Sequence, residues 1–342
     1  MNVNAMVETT RALTARGKGI LAADESHGTI GKRFAAIGVE NTPENRRRYR
    51  RLLFLAPGIA DVLSGVILFD ETIRQRADDG TPFPGLLTRL GIVPGIKVDA
   101  GAKPLAGAPG EQVTEGLDGL RERLAEYRGL GARFAKWRAV IEIGEGRPSG
   151  YCLAANAHAL ARYAALCQEA DIVPIVEPEV LMDGGHTIEQ CFDATQTAQD
   201  HLFRSLRDQR VVLEALLLKP NMVVSGAKCP RQAGVDEVAE ATVRCLRRTV
   251  PAAVPGVMFL SGGQTPERAT RHLNAMNAMP GTHPWVLSFS FARALQAPAM
   301  DTWRGSDAAV KGAQQAFLNR ARLVSAARDG RYTPAMEQAA AV

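Results

Sequence analysis

The chain has 342 residues, 46% of them hydrophobic and 23% charged, the balance of a globular protein long enough to bury a sizeable core. It carries no apolar run long enough to span a bilayer, and its start, MNVNAMVE, lacks a basic segment followed by an apolar one. Neither a membrane span nor a secretory signal is therefore expected, and the expected location is the cytoplasm. The net charge of +5 permits an anionic partner, and the five scattered cysteines, odd in number and without CxxC pairing, read as reduced thiols.

In chain order, the first apolar, β-branched run is GILAA at 19–23. The signal Asn41-Thr42-Pro43-Glu44 then opens a helix whose basic run, 46–51, is expected to be a solvated face. No fold motif or aromatic interleaving accompanies it, so no nucleic-acid partner is expected. Further apolar runs follow at 65–69, 95–98, 133–137, 172–176, 213–218, 256–260 and 285–290. Runs without polar alternation suit strands buried on both faces of a parallel sheet. Helical spacing fills 151–170, 187–209 and 235–249, and a last helix covers roughly 306–327. Eight such strands alternating with helices predict an α/β chain folded as a single (β/α)8 TIM barrel, one catalytic domain over 1–342 with a C-terminal helix. The segment 330–342 is expected to be a short mobile tail.

A barrel places its reactive groups at the C-terminal ends of its strands. There the sequence has Asp24 after the first run, Lys97 in the third, Lys136 in the fourth, Glu177 after the fifth, Lys219 after the sixth, Ser261 after the seventh and Arg293 after the eighth. Lys97, Lys136, Glu177, Lys219 and Ser261 are separated by 39, 41, 42 and 42 residues, each step one strand-helix unit. A lone lysine at a strand end is usually one whose head reaches water, but Lys219 closes the run LLLK, where desolvation disfavours its charged form. An amine that sheds its proton attacks carbonyls to form a Schiff base, and Lys136 on a neighbouring strand is expected to depress its pKa by repulsion. Glu177 and Glu179 flank a proline; one of them is suited to carry protons as the carbinolamine forms and loses water. Asp24 can act as base on a substrate hydroxyl.

Two anion sites are expected. Ser261-Gly262-Gly263 is a glycine-rich turn before a helix, and Ser290 and Arg293 follow the last strand, where this barrel usually cradles phosphate. Ser26, Thr29 and Arg33, with Lys97, could hold a second phosphate. An amine nucleophile between two anion sites suggests a bisphosphorylated carbonyl compound. The six histidines lack ligand spacing, so no metal and no cofactor are expected, and most of them are placed on the surface or in helices.

At these residues the chain resembles the class I, Schiff-base-forming fructose-bisphosphate aldolases. The similar segments include GKGILAADES (17–26), GIKVD (95–99), FAKWR (134–138), VPIVEPE (173–179), LLLKPNMV (216–223), FLSGGQ (259–264) and RALQA (293–297), in order over nearly the whole chain. The resemblance implies Lys219 as the imine-forming lysine, Glu177 as proton donor and acceptor, and Asp24 as base for carbon–carbon cleavage, supported by Lys136 and Glu179. It implies one substrate phosphate on Ser261, Gly262, Gly263, Ser290 and Arg293. Ser26, Arg33, Lys97 and Arg138 would hold the other phosphate or the sugar backbone, and the implied assembly is a homotetramer. Three departures stand out: Val342 ends the sequence where many members carry a tyrosine that helps reprotonate the enamine, Ala292 replaces a glycine, and Thr29 replaces a serine. The expected reaction is metal-independent cleavage of fructose 1,6-bisphosphate into dihydroxyacetone phosphate and glyceraldehyde 3-phosphate. The alternatives are a related lysine-dependent aldolase on another sugar phosphate and a scaffold with little activity.

Overall fold

The computed structural model describes residues 1–340. Its strands are β1 (Gly19–Ala22), β2 (Leu63–Leu68), β3 (Val93–Lys97), β4 (Gly101–Pro104), β5 (Gln112–Glu115), β6 (Phe134–Ile141), β7 (Val173–Val180), β8 (Leu217–Leu218), β9 (Gly256–Phe259) and β10 (Val286–Phe291). Eight of these close into a barrel in the order β1-β10-β9-β8-β7-β6-β3-β2, and every pairing within it is parallel. β4 and β5 form a separate antiparallel hairpin inserted after β3. The helices 150–169, 188–208 and 235–249 match the sequence expectation to within a residue or so, whereas the last helix, expected from about 306, begins at Val310 after a 3₁₀ turn at Asp307–Ala309 and ends at Arg328.

Alternation along each strand divides the core in two, because successive side chains point to opposite faces. Phe134 packs inside the barrel with Ile20, Ile67, Ile175, Leu217 and Met258. Its strand neighbours Ala135, Trp137 and Ala139 pack outward under the helices, where Trp137 lies 5.5 Å from the ring of Tyr163. The same period turns Lys136 and Arg138 inward after Phe134, and Glu177 and Glu179 inward after Ile175. Each strand thus runs from apolar filling at its start to ionisable groups at its end.

The barrel floor is packed by the ring of Phe134 and by the N-terminal helix Val3–Leu13, while Phe289 packs on the outer face under the helices. A Cβ on Gly95 would lie 2.3 Å from the ring of Phe134, and one on Gly19 would lie 2.5 Å from that of Phe289. Gly65 and Gly256 leave equivalent room for Leu13 and Thr14. These glycines, first in β1 and β9 and third in β2 and β3, are there because aromatic, helix or neighbouring side chains occupy the space a side chain would need. The Ser64 hydroxyl donates to the Leu13 carbonyl at 2.7 Å, and the Thr10 hydroxyl lies 3.3 Å from the Glu214 carbonyl oxygen, which pins the helix across the opening.

Several details depart from the sequence reading. β6 and β7 run on to Ile141 and Val180 in continuous register, since both residues still find an apolar layer in Leu153, Ala194 and Ala198 of the covering helices. Glu177 consequently lies within its strand. The sixth run forms a 3₁₀ turn at Leu213–Ala215 and only a two-residue strand, because Pro220 lacks the N–H needed to extend the ladder. The basic run is not wholly a solvated face: Arg46 and Arg50 are buried and pair with Glu71 and Glu25. His186 is buried in a loop. Within the segment after Gly330, Tyr332 is buried, its N–H donates to Asn274 at 2.9 Å and its hydroxyl donates to Glu337 at 2.9 Å. Residues 341–342 of that segment lie outside the described residues.

Candidate active site

A cleft of about 480 Å³ opens at the C-terminal ends of the strands. It is lined by every residue picked from the sequence except Gly263. Gly263 lies just behind the wall, where its φ of +69° makes the turn that a side chain would resist. A larger groove of about 610 Å³ between the helices 235–249 and 266–278 has no comparable convergence of reactive groups.

At the centre, four buried groups alternate in charge. Lys136 Nζ lies 2.9 Å from Asp24 and 3.3 Å from Glu177; the other oxygen of Glu177 lies 3.1 Å from Lys219 Nζ. β6 supplies Lys136 beside Lys97 of β3, and Lys219 sits just past β8, with its N–H donating to Val176 of β7 at 2.8 Å. Burial alone would raise the pKa of Asp24, yet the ammoniums of Lys136 and Lys219 outweigh it and hold the carboxyl at about 2. Burial would likewise lower Lys136, but Asp24, Glu177 and Asp99 drive it well above the usual lysine range. The positive charge of Lys136 is therefore not loose repulsion aimed at Lys219, as expected from the sequence. It is a fixed link between two carboxylates. Oε2 of Glu177, although 3.3 Å from Lys136, receives no well-aligned hydrogen bond among the described residues.

The two expected anion sites differ. On the β9–β10 side, the Ser290 hydroxyl is buried without a partner. Among the described residues no carboxylate pairs with Arg293, which begins the helix Arg293–Trp303. Unpaired donors at a helix N-terminus form an anion site. On the β1–β3 side, Arg33 is paired with Glu25, Lys97 is 2.7 Å from Asp99, and the hydroxyls of Ser26 and Thr29 are 3.2 Å apart. Arg138 pairs with Glu179 at the rim. Ala292 stands between the two strand-end groups of β10 with φ −103° and ψ −92°, where it caps the helix without a side-chain bond.

Asp99 was missed by the sequence reading. It is buried and contacts Lys97, while its second oxygen accepts the Arg138 N–H at 3.2 Å. A signal existed, since Asp99 follows Lys97 by two positions and so shares its face. Glu25 was missed because it neighbours Asp24 and points away from it, into a buried cluster with Arg50 and Gln296. Among the described residues no group of three or more His, Cys, Asp or Glu side chains is arranged to hold a metal.

A buried lysine and carboxylates at the mouth of a (β/α)8 barrel form the site of a carbon–carbon lyase. The model of the class I fructose-bisphosphate aldolase family matches residues 5–342, and the chain belongs to that family. It is 57% identical over 333 residues to a probable class 1 fructose-bisphosphate aldolase of Xanthomonas axonopodis pv. citri, covering 97% of this chain and 99% of that one. It is 55% identical over 316 residues to the cytosolic fructose-bisphosphate aldolase 6 of Arabidopsis thaliana, covering 92% and 88%. The aldolase of Plasmodium falciparum, solved in a ternary complex with TRAP and a small-molecule inhibitor, superposes with a TM-score of 0.95 at 48% identity, covering 97% and 96%.

Proposed function

We propose that the chain, acting as one catalytic domain, cleaves fructose 1,6-bisphosphate reversibly into dihydroxyacetone phosphate and glyceraldehyde 3-phosphate through a Schiff base on Lys219. The observation that carries this is the buried Lys219 ammonium 3.1 Å from Glu177, inside a cleft with an anion site on either side. Lys219 Nζ passes a proton to Glu177 and adds as the free amine to the ketone carbon, and Glu177 returns that proton to the carbinolamine hydroxyl, which leaves as water so that an iminium remains. Asp24 takes the proton of the hydroxyl beyond the scissile bond as that bond breaks and its electrons flow into the iminium. The aldehyde departs. Asp24 gives its proton back, Glu177 relays it to the enamine carbon, and water hydrolyses the resulting iminium, freeing the ketone and returning Lys219 to its ammonium form. Lys136 keeps its charge throughout and holds the two carboxylates in register, a preorganised arrangement that need not reorient as charge moves.

No metal is required by this sequence of steps, and the names of the relatives support the substrate. The cytosolic relative supports a cytoplasmic location, and no helix among the described residues is long and apolar enough to cross a membrane. A homotetramer is the assembly the family resemblance implies. Borohydride added with fructose 1,6-bisphosphate should fix an adduct on the peptide containing Lys219, and activity should survive EDTA. Failure to trap the adduct, or loss of activity with EDTA, would sink the mechanism. Turnover of fructose 1-phosphate at least as fast as that of the bisphosphate would instead point to a related sugar-phosphate aldolase.

A further inference from the structure

His272 lies in the helix Pro266–Ala278 and is fully buried. Its Nδ1 is 2.6 Å from the side-chain oxygen of Gln264, and its Nε2 has no partner. A carbonyl oxygen only accepts, so Nδ1 carries the hydrogen and donates it. The imidazole is held neutral: burial, then the charges of Arg268 and Arg271, lower its pKa to about 3. A histidine in this place is costly as mere filling, because one ring nitrogen is buried unsatisfied. Its single polar contact is with Gln264.

Gln264 closes the turn that begins at Ser261. Its N–H donates to the Ser261 carbonyl at 3.2 Å, its side chain is buried, and its amide nitrogen faces the sulfur of Met222 at 3.6 Å. The turn has little other anchoring on this side, since Gly262 and Gly263 have no side chains and both pack against Met182. We infer that His272 is a positioning residue, which clamps Gln264 and thereby holds the 261–263 turn in the shape that receives a substrate phosphate. This inference rests on reading that turn, with Ser290 and Arg293, as a phosphate cradle.

The test compares His272→Leu, which removes the donor, with His272→Asn, whose amide nitrogen can take the place of Nδ1. The probes are inorganic phosphate binding by calorimetry and steady-state cleavage of fructose 1,6-bisphosphate. His272→Leu should weaken phosphate and raise KM by about tenfold, with a larger change in KM than in kcat, and His272→Asn should restore both to within about threefold. Unchanged phosphate affinity in folded His272→Leu protein, or a loss that asparagine does not recover, overturns the clamp. Should His272→Leu fail to fold, Gln264→Leu must show the same loss of phosphate, and unchanged affinity there overturns it equally. Arg293→Ala separates the two readings. If wild-type phosphate binding does not depend on Arg293, the cradle is wrong and the clamp falls with it; if it does depend on Arg293 but not on His272, only the clamp fails.

Discussion

The two halves of the cleft are built on opposite plans. From β1 to β8 the charges are answered: Asp24 by Lys136, Glu177 by Lys136 and Lys219, Lys97 by Asp99 and Arg33 by Glu25. On the β9–β10 side the Ser290 hydroxyl and Arg293 have no such partners. A buried charge must be paired to be tolerated, so the first half is assembled by folding itself. The second half keeps donors that no carboxylate answers among the described residues. On the proposed reading, a phosphate at β9–β10 would meet free donors, whereas one at β1–β3 would compete with Glu25 and Asp99 for Arg33 and Lys97.

Mutations on the two halves should therefore fail in different ways. Lys219→Ala should lower kcat for cleavage by ~10⁴-fold or more, as loss of a nucleophile does elsewhere, and residual wild-type-like turnover would remove Lys219 from the mechanism. Lys136→Met should strand the buried carboxylate of Asp24, leave Glu177 with Lys219 alone and cost about 3–5 kcal/mol of stability, read from urea unfolding. A cost below about 1 kcal/mol would mean that water enters this half and the plan described for it is wrong. Acid should reach the same half through Asp24. Its pKa falls from 3.8 in the unfolded chain to about 2 in the fold, so its contribution is complete above pH 4 and is lost as pH drops through 2. The shift corresponds to about 2 kcal/mol. In Asp24→Asn protein that part of the acid dependence should vanish. Arg293→Ala, on the open half, should raise KM about tenfold while leaving the melting temperature within a degree or two of wild type. A clear loss of stability there would erase the distinction between the halves.

The barrel and its central groups could be read from the chain because both rest on local regularities. Buried parallel strands are continuous apolar runs, and the step from Lys97 to Lys136 to Glu177 is one strand-helix unit each time. What could not be read was pairing. Nothing local says that Lys136 would be claimed by Asp24 as well as Glu177, or that Arg50, inside a run of basic residues, would be buried against Glu25. Those contacts join strands and helices distant in sequence. The β4–β5 hairpin escaped notice for another reason: its residues GAKP and QVTE have neither apolar runs nor a tight two-residue turn between them. Its place is set by tertiary bonds, including the Thr114 hydroxyl donating to the Arg138 carbonyl at 2.7 Å.

The helix Val3–Leu13, pinned under the barrel by Ser64 and Thr10, has a kinetic meaning as well as a structural one. With the ring of Phe134 filling the floor and this helix beneath it, the cleft opens at the C-terminal ends of the strands. On the proposed mechanism, sugar phosphate, the water that hydrolyses the iminium and the protons exchanged with solvent would all pass through that mouth. While substrate fills it, the enamine would draw on protons already inside, relayed by Glu177.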